Sequence, residues 1–469
     1  MTIPGPMADR KSILVWSIFL PAICAAALAV RLHPVLAHPE SERYGFGPFG
    51  DTFIYCELAV NLCAGKGFVV GGEGAALTRG PLPYRPAFER GPGYPLFISA
   101  VFRLTGSLPD TRSLRTVHLA LDRVRFAQCI LDTLCLVLVF CVVRVLRPGA
   151  RWAPVCAAAL YAVSWYTIFY TRAILAETLA AFLLTLFLLI AMRGIRDGLA
   201  RRLVQAGMVI GFLNLCRPGY VVFLPCFALF LLLAFRSVPR KACGLALAFL
   251  AGALGVITPW TVRNYMAFGK PVLIAAGVPG VMLYWGMIDS GSNWRGWGAF
   301  PDVAFVDDEE KRIAPPLFAA HPWILRDGSL DDVDRVHREF LRLAWKRFRA
   351  RPGEVMRNWA RKMPRLWFQN YVPIYRDPEA SGLYFLCYFA FAIVAWCACP
   401  RARLLMSPVA LLFAYLTIIC APIVVEPRFG VPLMPGIIAM AGVGICDTAG
   451  WLARLRARMA KSSTGGREP

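Results

Sequence analysis

Charged residues are scarce in this chain of 469 residues. They make up 17% of it, while 58% of the residues are hydrophobic and the mean hydropathy is +0.54. Soluble globular domains have about a quarter of their residues charged. The shortage of charge therefore excludes a soluble globular protein and predicts an all-α polytopic membrane protein.

Acidic residues are the rarer sign of charge, with 29 Asp and Glu against 51 Lys and Arg and a formal net charge of +22. The basic residues fall mostly in short runs between apolar segments, where they set the orientation of membrane helices. A nucleic-acid partner is therefore not expected. Anionic membrane lipids are the partner that this charge pattern predicts.

Signals for metal, nucleotide and disulfide chemistry are missing from the sequence. The 5 histidines show no metal-ligand spacing, and most of the 15 cysteines lie inside apolar runs, as small buried side chains do. Gly71-Gly72-Glu73-Gly74 does not follow a predicted strand, so we interpret it as a turn and not as a phosphate loop. The acidic runs 307–310 and 331–332 are interpreted as solvated loops. No metal and no cofactor are predicted.

About ten apolar segments are predicted to cross the membrane. Basic residues follow alternate segments, so both termini are predicted to be cytoplasmic. For the first segment a cleaved signal peptide is the alternative, because Val35-Leu36-Ala37 resembles a cleavage site, although the apolar run is long for a signal peptide. The segments are 13–32, 126–145, 152–170, 175–192, 203–216, 220–235, 245–260, 383–398, 404–419 and 431–445.

These crossings divide the chain into four parts. The Gly- and Pro-rich sequence after the first crossing predicts a first outer loop with interfacial helices, one after Asp51 and one at 94–102. A later polar stretch has an amphipathic helical pattern at 332–359, which predicts a small outer cap. The parts are an N-terminal transmembrane module (1–260) with the catalytic first outer loop (33–123), a long extracytoplasmic loop or cap (261–381), C-terminal transmembrane helices (382–450) and a basic cytoplasmic tail (451–469).

Asp51 is the central residue of the first outer loop. It follows Gly47-Pro48-Phe49-Gly50 and precedes a run with apolar residues at helical spacing. The carboxylate is thus predicted to lie at the N-terminal end of a helix, where the helix dipole favours negative charge. Helix capping alone would explain an aspartate at this position, and only the rest of the chain favours a catalytic role.

Several other polar groups are predicted on the same side of the membrane. Ionisable groups at membrane depth are costly and are usually paired or functional. Each one alone could be an interfacial anchor with a snorkelling side chain, but their collection on one side predicts a site between helix ends. With Asp51 they are Arg90, Glu177, Arg217, Arg263, Asn264, Glu426 and Arg428.

The chemistry of such a site follows from its location. A transferase that faces outward has no access to cytoplasmic nucleotide sugars, so its donor must arrive in the lipid. A sugar on a polyprenyl phosphate fits, since its phosphodiester lies at the interface. Arginine binds phosphate oxygens through two donors, and a carboxylate can take the proton of an acceptor.

The motifs resemble those of the GT-C glycosyltransferases, in the branch of the protein O-mannosyltransferases and the lipid A aminoarabinose transferases. The match extends over nearly the whole chain, although each motif is short. The matching motifs are Gly50-Asp51-Thr52-Phe53-Ile54-Tyr55 with Gly65-Lys66-Gly67-Phe68, Arg90-Gly91-Pro92-Gly93-Tyr94-Pro95-Leu96, Ala176-Glu177-Thr178-Leu179, Cys216-Arg217-Pro218, Pro259-Trp260-Thr261-Val262-Arg263-Asn264-Tyr265 and Glu426-Pro427-Arg428-Phe429-Gly430-Val431-Pro432.

The resemblance implies inverting transfer from a polyprenyl-phosphate sugar to an extracytoplasmic acceptor (a lipid, glycan or protein) at the inner membrane. Asp51 would be the base, or an orienting carboxylate if the acceptor is itself a phosphate. The single aspartate of the first motif, where some members have paired acids, argues against a metal. The implied substrate contacts are Arg90 and Arg263 for the lipid phosphate, Glu177 for acceptor or sugar, Glu426 and Arg428 for the donor, and Tyr55, Tyr94, Arg217 and Asn264 from the same motifs.

A transporter or lipid flippase is the alternative, because it also places charges between helices. Transporters tend to have internal repeats and polar, broken helices near the midplane, and this sequence shows no repeat. A scaffold for other membrane enzymes would leave the shared polar side unexplained.

Overall fold

The computed structural model describes residues 10–37, 51–72, 82–109, 114–277, 279–289, 304–368, 378–423 and 425–464, and these form a largely helical chain. The α-helices are α1 (Arg10–Ala37), α2 (Asp51–Cys63), α3 (Gly93–Leu104), α4 (Leu114–Leu146), α5 (Ala153–Ala162), α6 (Trp165–Tyr170), α7 (Glu177–Asp197), α8 (Ala200–Cys216), α9 (Phe223–Ala234), α10 (Pro239–Phe268), α11 (Pro279–Ile288), α12 (Asp308–Asp327), α13 (Leu330–Ala350), α14 (Pro352–Phe368), α15 (Pro378–Ala398), α16 (Arg403–Cys420) and α17 (Met434–Thr464).

Short elements connect some of these helices. Between α2 and α3, strands β1 (Val69–Gly71) and β2 (Leu82–Pro86) form an antiparallel hairpin. Short 3-10 helices follow α8 at Pro218–Tyr220, precede α16 at Pro400–Ala402 and precede α17 at Pro427–Leu433.

Six of the described helices are long and apolar enough to cross a membrane. This confirms the predicted α-helical polytopic membrane protein. The count of ten crossings stays a prediction, because several of the predicted segments lie on helices of 17 residues or fewer, and about 20 residues are needed to cross the hydrocarbon core. The six long segments are Arg10–Ala37, Thr116–Leu146, Glu177–Asp197, Pro239–Phe268, Pro400–Cys420 and Pro427–Met459.

Some predicted segments differ in the structure. The crossing predicted at 152–170 is divided into α5 and α6, because the backbone is extended at Ser164 (φ −69°, ψ 90°). The helix predicted at 332–359 is divided into α13 and α14 at Arg351, because Pro352 disfavours helical backbone angles at the residue before it. The predicted part boundaries at 260 and 450 fall inside α10 and α17, which continue without a break.

The predicted cap has a hydrophobic core around the stacked rings of Trp285 and Phe318, formed by α11 to α14 together with Phe88 from the loop before α3. One acidic run predicted to be a solvated loop contributes to this core. Glu310 is 1% exposed, lies on α12 and accepts hydrogen bonds from Tyr284 (2.8 Å) and Arg347 (2.9 Å). The interpretation of the acidic runs as solvated loops is therefore wrong, because 308–310 and 331–332 lie in the first turns of α12 and α13, where the helix dipole favours acidic residues. Glu310 is also buried, since its carboxylate accepts from Tyr284 and Arg347.

Helix α1 is held to the bundle by a buried ion pair. Only 11% of the residues in the most apolar stretch of α1 are buried. Arg31, in contrast, is 0% exposed and donates to Asp132 of α4 at 2.6 Å. Tyr161 donates to the other carboxylate oxygen at 2.5 Å. The remaining Arg31 donors bond main-chain carbonyls of α1 and α5. Both charges lie in segments that hydropathy describes as apolar, so their pairing was not predicted.

We expect this ion pair to dominate the attachment of α1. Asp132→Leu leaves the Arg31 charge buried without its partner and should lower the free energy of unfolding by about 3–5 kcal/mol. The measurement is thermal unfolding of the purified protein in detergent. The double variant Arg31→Leu/Asp132→Leu removes both charges and should recover most of the loss. A double variant as unstable as the single one would contradict this interpretation.

Candidate active site

Asp51 lies at the first residue of α2, and two arginines from distant parts of the chain contact its carboxylate. Arg90 forms an ion pair with Oδ1 from 39 residues away. Arg428 donates to Oδ2 at 3.1 Å from 377 residues away. The carboxylate remains 25% exposed, so it can be reached from outside the protein. The turn predicted at 47–50 lies outside the described residues.

Further ion pairs extend from Arg428. Its Nε atom contacts Glu426 and lies 3.9 Å from Oε1 of Glu177. Arg217 donates to the same Glu177 oxygen at 3.2 Å. We call these six residues, Asp51, Arg90, Glu177, Arg217, Glu426 and Arg428, the Asp51 cluster. Its three carboxylates and three guanidinium groups cancel in formal charge.

Helix ends bring these side chains together. Asp51 and Glu177 are the first residues of α2 and α7, where the helix dipole stabilises a carboxylate. Arg217 immediately follows α8, and Arg428 lies in the 3-10 helix before α17. The loop of Arg90 packs tightly on the end of α8, because a Cβ atom on Gly91 would lie 2.1 Å from the carbonyl oxygen of Leu215.

The two arginines keep Asp51 ionised. Burial raises the pKa of its carboxyl, but the charges and hydrogen bonds of Arg90 and Arg428 outweigh burial and hold that pKa well below its usual value. Burial in turn raises the pKa of the neighbouring Tyr55 hydroxyl, and the negative charge of Asp51 raises it further. Tyr55 therefore stays protonated and can act as a hydrogen-bond donor.

A second polar layer supports Tyr55. The Tyr55 and Tyr94 rings meet edge to face with centroids 5.0 Å apart. Tyr94 is 0% exposed and donates to Gln128 at 2.8 Å, and Gln128 donates to the carbonyl groups of Thr171 and Ala173, both at 2.9 Å. The predicted substrate residue Tyr94 is thus engaged inside the protein. Gln128 was not predicted, because it lies in a segment that reads as apolar.

Arg263 and Asn264 lie on the last turns of α10, outside the Asp51 cluster. Arg263 donates to the carbonyl oxygens of Phe68 (2.8 Å) and Ala87 (3.2 Å) at the two ends of the hairpin. Asn264 donates to the carbonyl oxygens of residues 272 and 274. The prediction that Arg263 shares the site of Asp51 is therefore not met by its contacts. Arg263 instead holds the hairpin that precedes Arg90, and Asn264 holds the segment that follows α10.

The cluster offers poor ligands for a metal ion, since each of its carboxylates is already bound to an arginine. Within the described ranges of the chain, no group of three or more His, Cys, Asp or Glu side chains could hold a metal.

Comparison with known proteins gave matches among solved structures alone: no family model and no curated protein matches. One matching structure is the archaeal oligosaccharyltransferase AglB from Archaeoglobus fulgidus in complex with an inhibitory peptide and a dolichol-phosphate. It has 13% sequence identity and a TM-score of 0.55, covering 97% of this chain and 53% of that chain. The Archaeoglobus fulgidus oligosaccharyltransferase in its apo form has a TM-score of 0.51 at 13% identity, with coverages of 96% and 52%.

The chain has the GT-C fold. It spans about half the length of the solved structures that it matches. The complex of the same oligosaccharyltransferase with Zn and sulfate has a TM-score of 0.51 at 13% identity, covering 92% of this chain and 49% of that chain.

Removal of Arg428 should make stability depend on pH in a new way. Arg428→Met leaves three carboxylates with two guanidinium groups, so we expect one carboxyl to keep its proton in the folded state near neutral pH. A group that binds a proton only in the folded state makes stability fall as pH rises. Unfolding temperatures of the variant should therefore decrease from pH 5 to pH 7.

In the wild type, Asp51 should not make the unfolding temperature decrease between pH 5 and pH 7. Its pKa is lowered on folding, so its stabilising contribution is complete above the ordinary carboxyl pKa of about 4 and is lost only at lower pH. Arg147→Met is the control, because the pair of Arg147 with Asp447 lies outside the Asp51 cluster and the Arg147 side chain is 43% exposed. Parallel pH profiles for wild type and Arg428→Met would contradict the charge balance described for the Asp51 cluster.

Proposed function

We propose that this protein is a membrane glycosyltransferase that transfers a sugar from a polyprenyl-phosphate donor to an extracytoplasmic acceptor, with inversion at the sugar. The observation that carries the proposal is the Asp51 carboxylate, partly exposed and held between arginines from the first loop and from the segment before α17. The GT-C fold supports it, because a solved structure with this fold is an oligosaccharyltransferase in complex with dolichol-phosphate.

The arginines of the Asp51 cluster supply the binding site for the donor phosphate. A guanidinium has five N–H donors. Arg90 uses two of its nitrogens on Asp51 and the carbonyl of Glu89, and Arg217 bonds Glu177 through one. Both therefore have further donors for phosphate oxygens, and their positive charges stabilise the negative charge that develops on the leaving phosphate.

Donor binding also prepares Asp51 to act as the base. Two arginines hold its pKa low, which makes the carboxylate a weak base in the free protein. A bound phosphate competes for Arg90 and Arg428, so the pKa of Asp51 rises toward the range useful for proton transfer. The acceptor oxygen then attacks the anomeric carbon opposite the phosphate, the carbon–oxygen bond to phosphate breaks, and Asp51 takes the acceptor proton.

A phosphate acceptor would change the role of Asp51. Such an acceptor is already deprotonated at neutral pH, so the carboxylate would orient it and would take no proton. The acceptor class is a lipid, a glycan or a protein. We place the reaction at the extracytoplasmic face of the inner membrane, since the basic residues follow the segment ends expected in the cytoplasm.

The decisive variant is Asp51→Asn. It keeps the size of the side chain and can accept from one of the two arginines, but it cannot take a proton, so transfer should fall by about 10²–10⁴-fold. The assay incubates purified protein with a panel of polyprenyl-phosphate sugars and measures sugar transfer or release, and donor binding is measured separately. Donor binding should remain.

Asp447→Asn is the matched control for this experiment. Asp447 is also an aspartate paired with an arginine, Arg147, but it lies on α17 and is not part of the Asp51 cluster. Arg147 directly follows α4, 19 residues beyond Gln128, the partner of Tyr94. Its variant should transfer sugar at the wild-type rate. Full activity of Asp51→Asn would contradict the proposal. A wild type that moves the donor lipid across the bilayer without transfer would favour the flippase alternative.

Transfer should not need a divalent metal ion. The three carboxylates of the Asp51 cluster are neutralised by arginine, which leaves no charge to attract a cation. We expect protein washed with EDTA to retain its rate within about twofold, the spread of ordinary context effects. Loss of activity in EDTA with recovery on addition of Mg²⁺ or Mn²⁺ would show that a metal joins the site.

A further inference from the structure

The cap contacts the segment that carries Glu426 and Arg428. This segment leaves α16 after Cys420 and leads to the 3-10 helix that begins at Pro427. Lys362 of α14 is 0% exposed, and its ammonium group donates to two main-chain carbonyls, one at Gly286 in α11 and one at Ile423, the latter at 3.1 Å. The buried ammonium group of Lys362 therefore links cap helices α11 and α14 to the segment that leads to Arg428.

The two segments that carry these carbonyl groups, around Gly286 and around Ile423, pack closely together. A Cβ atom on Gly286 would be 2.2 Å from the carbonyl oxygen of Pro422, so only glycine permits this approach. The ammonium group of Lys362 lies at this contact, where it donates to the carbonyl groups of Gly286 and Ile423. Asp289, which directly follows α11, forms an ion pair of 3.3 Å with Arg365 of α14.

We propose that Lys362 is a positioning residue for Arg428, which it holds in place through the carbonyl of Ile423. This inference rests on the proposed function only where it concerns catalysis. Arg428 lies five residues beyond Ile423 and binds Asp51, Glu426 and Glu177 at once. Such a shared position depends on a fixed backbone, and a misplacement of about 1 Å can lower a catalytic rate about 100-fold.

The charge of Lys362 is sensitive to pH in an accessible range. Burial lowers the pKa of its ammonium group to about 8, the charge of Asp289 opposes this effect and that of Arg365 adds to it. The third neighbour, the segment 421–423, has no ionisable side chain and offers carbonyl groups. Above about pH 8 the ammonium becomes a neutral amine, which is a weaker donor to both carbonyls.

Stability and activity should then respond to pH in opposite directions. Between about pH 8 and the ordinary lysine pKa of about 10.4, the unfolded chain binds a proton that the folded protein does not. The contribution of Lys362 to stability therefore rises with pH in this window. Transfer should fall over the same window, because the support of Ile423 weakens, and a purely structural lysine would not cause that fall.

The test compares Lys362→Met with Asn358→Leu in the full-length protein. Asn358 lies one turn earlier on α14, is 5% exposed and donates to the carbonyl of Met287 at 2.9 Å. Each variant thus loses a buried hydrogen bond from α14 to the end of α11, but only Lys362 also reaches Ile423. Lys362→Met should lower kcat by about 10- to 100-fold, and its transfer rate should no longer decline above pH 8. Asn358→Leu should have the wild-type kcat and the wild-type decline of transfer above pH 8.

Hydrogen exchange gives a readout that does not depend on sugar transfer. Peptides covering residues 421–433 should exchange faster in Lys362→Met than in Asn358→Leu at equal distance below their unfolding temperatures. Equal exchange in the two variants would overturn the positioning role. Faster exchange with no transfer by the wild type would leave the positioning role standing and reject the proposed function, and faster exchange with unchanged kcat would overturn the link to catalysis.

Discussion

A carboxylate near a membrane must be neutralised, and the neutralisation of Asp51 is the constraint around which the rest of the structure is arranged. Its partners, Arg90 and Arg428, come from opposite ends of the chain. Because a charge without a partner is costly at low dielectric, the pairing couples the first loop to the last crossing. Glu177 and Arg217 extend the same balance to the ends of α7 and α8.

The protein contains another arginine–aspartate pair, Arg31 with Asp132, and its exposure differs from that of Arg90 with Asp51. This difference indicates which pair is accessible enough to form a binding site. Arg31 and Asp132 have side chains that are 0% and 2% exposed, and both are surrounded by protein hydrogen bonds. They have no room for a new partner, so they only hold α1 in place. Asp51 and Arg90 are 25% and 29% exposed, so part of each charged group remains accessible to a further partner.

Two supports position the Asp51 cluster from different sides. On one side, Arg263 on α10 holds the ends of the β1–β2 hairpin, and this hairpin leads into the loop of Arg90. On the other side, Lys362 in the cap binds the segment that leads to Arg428. In both cases a cation donates to main-chain carbonyls and so holds the backbone next to a residue of the Asp51 cluster.

The sequence by itself determined the membrane class, most of the apolar helices and the positions of the polar motifs, because hydropathy and helix signals are local along the chain. It also predicted that Asp51 begins a helix and that Arg90 and Arg428 lie near it. Only the tertiary structure decided that Arg263 supports the hairpin, since which carbonyls an arginine binds depends on segments distant in sequence. Arg31 and Lys362 were missed for the same physical reason: a charge inside an apolar or amphipathic pattern finds its partner on another helix, and no local pattern records that partner.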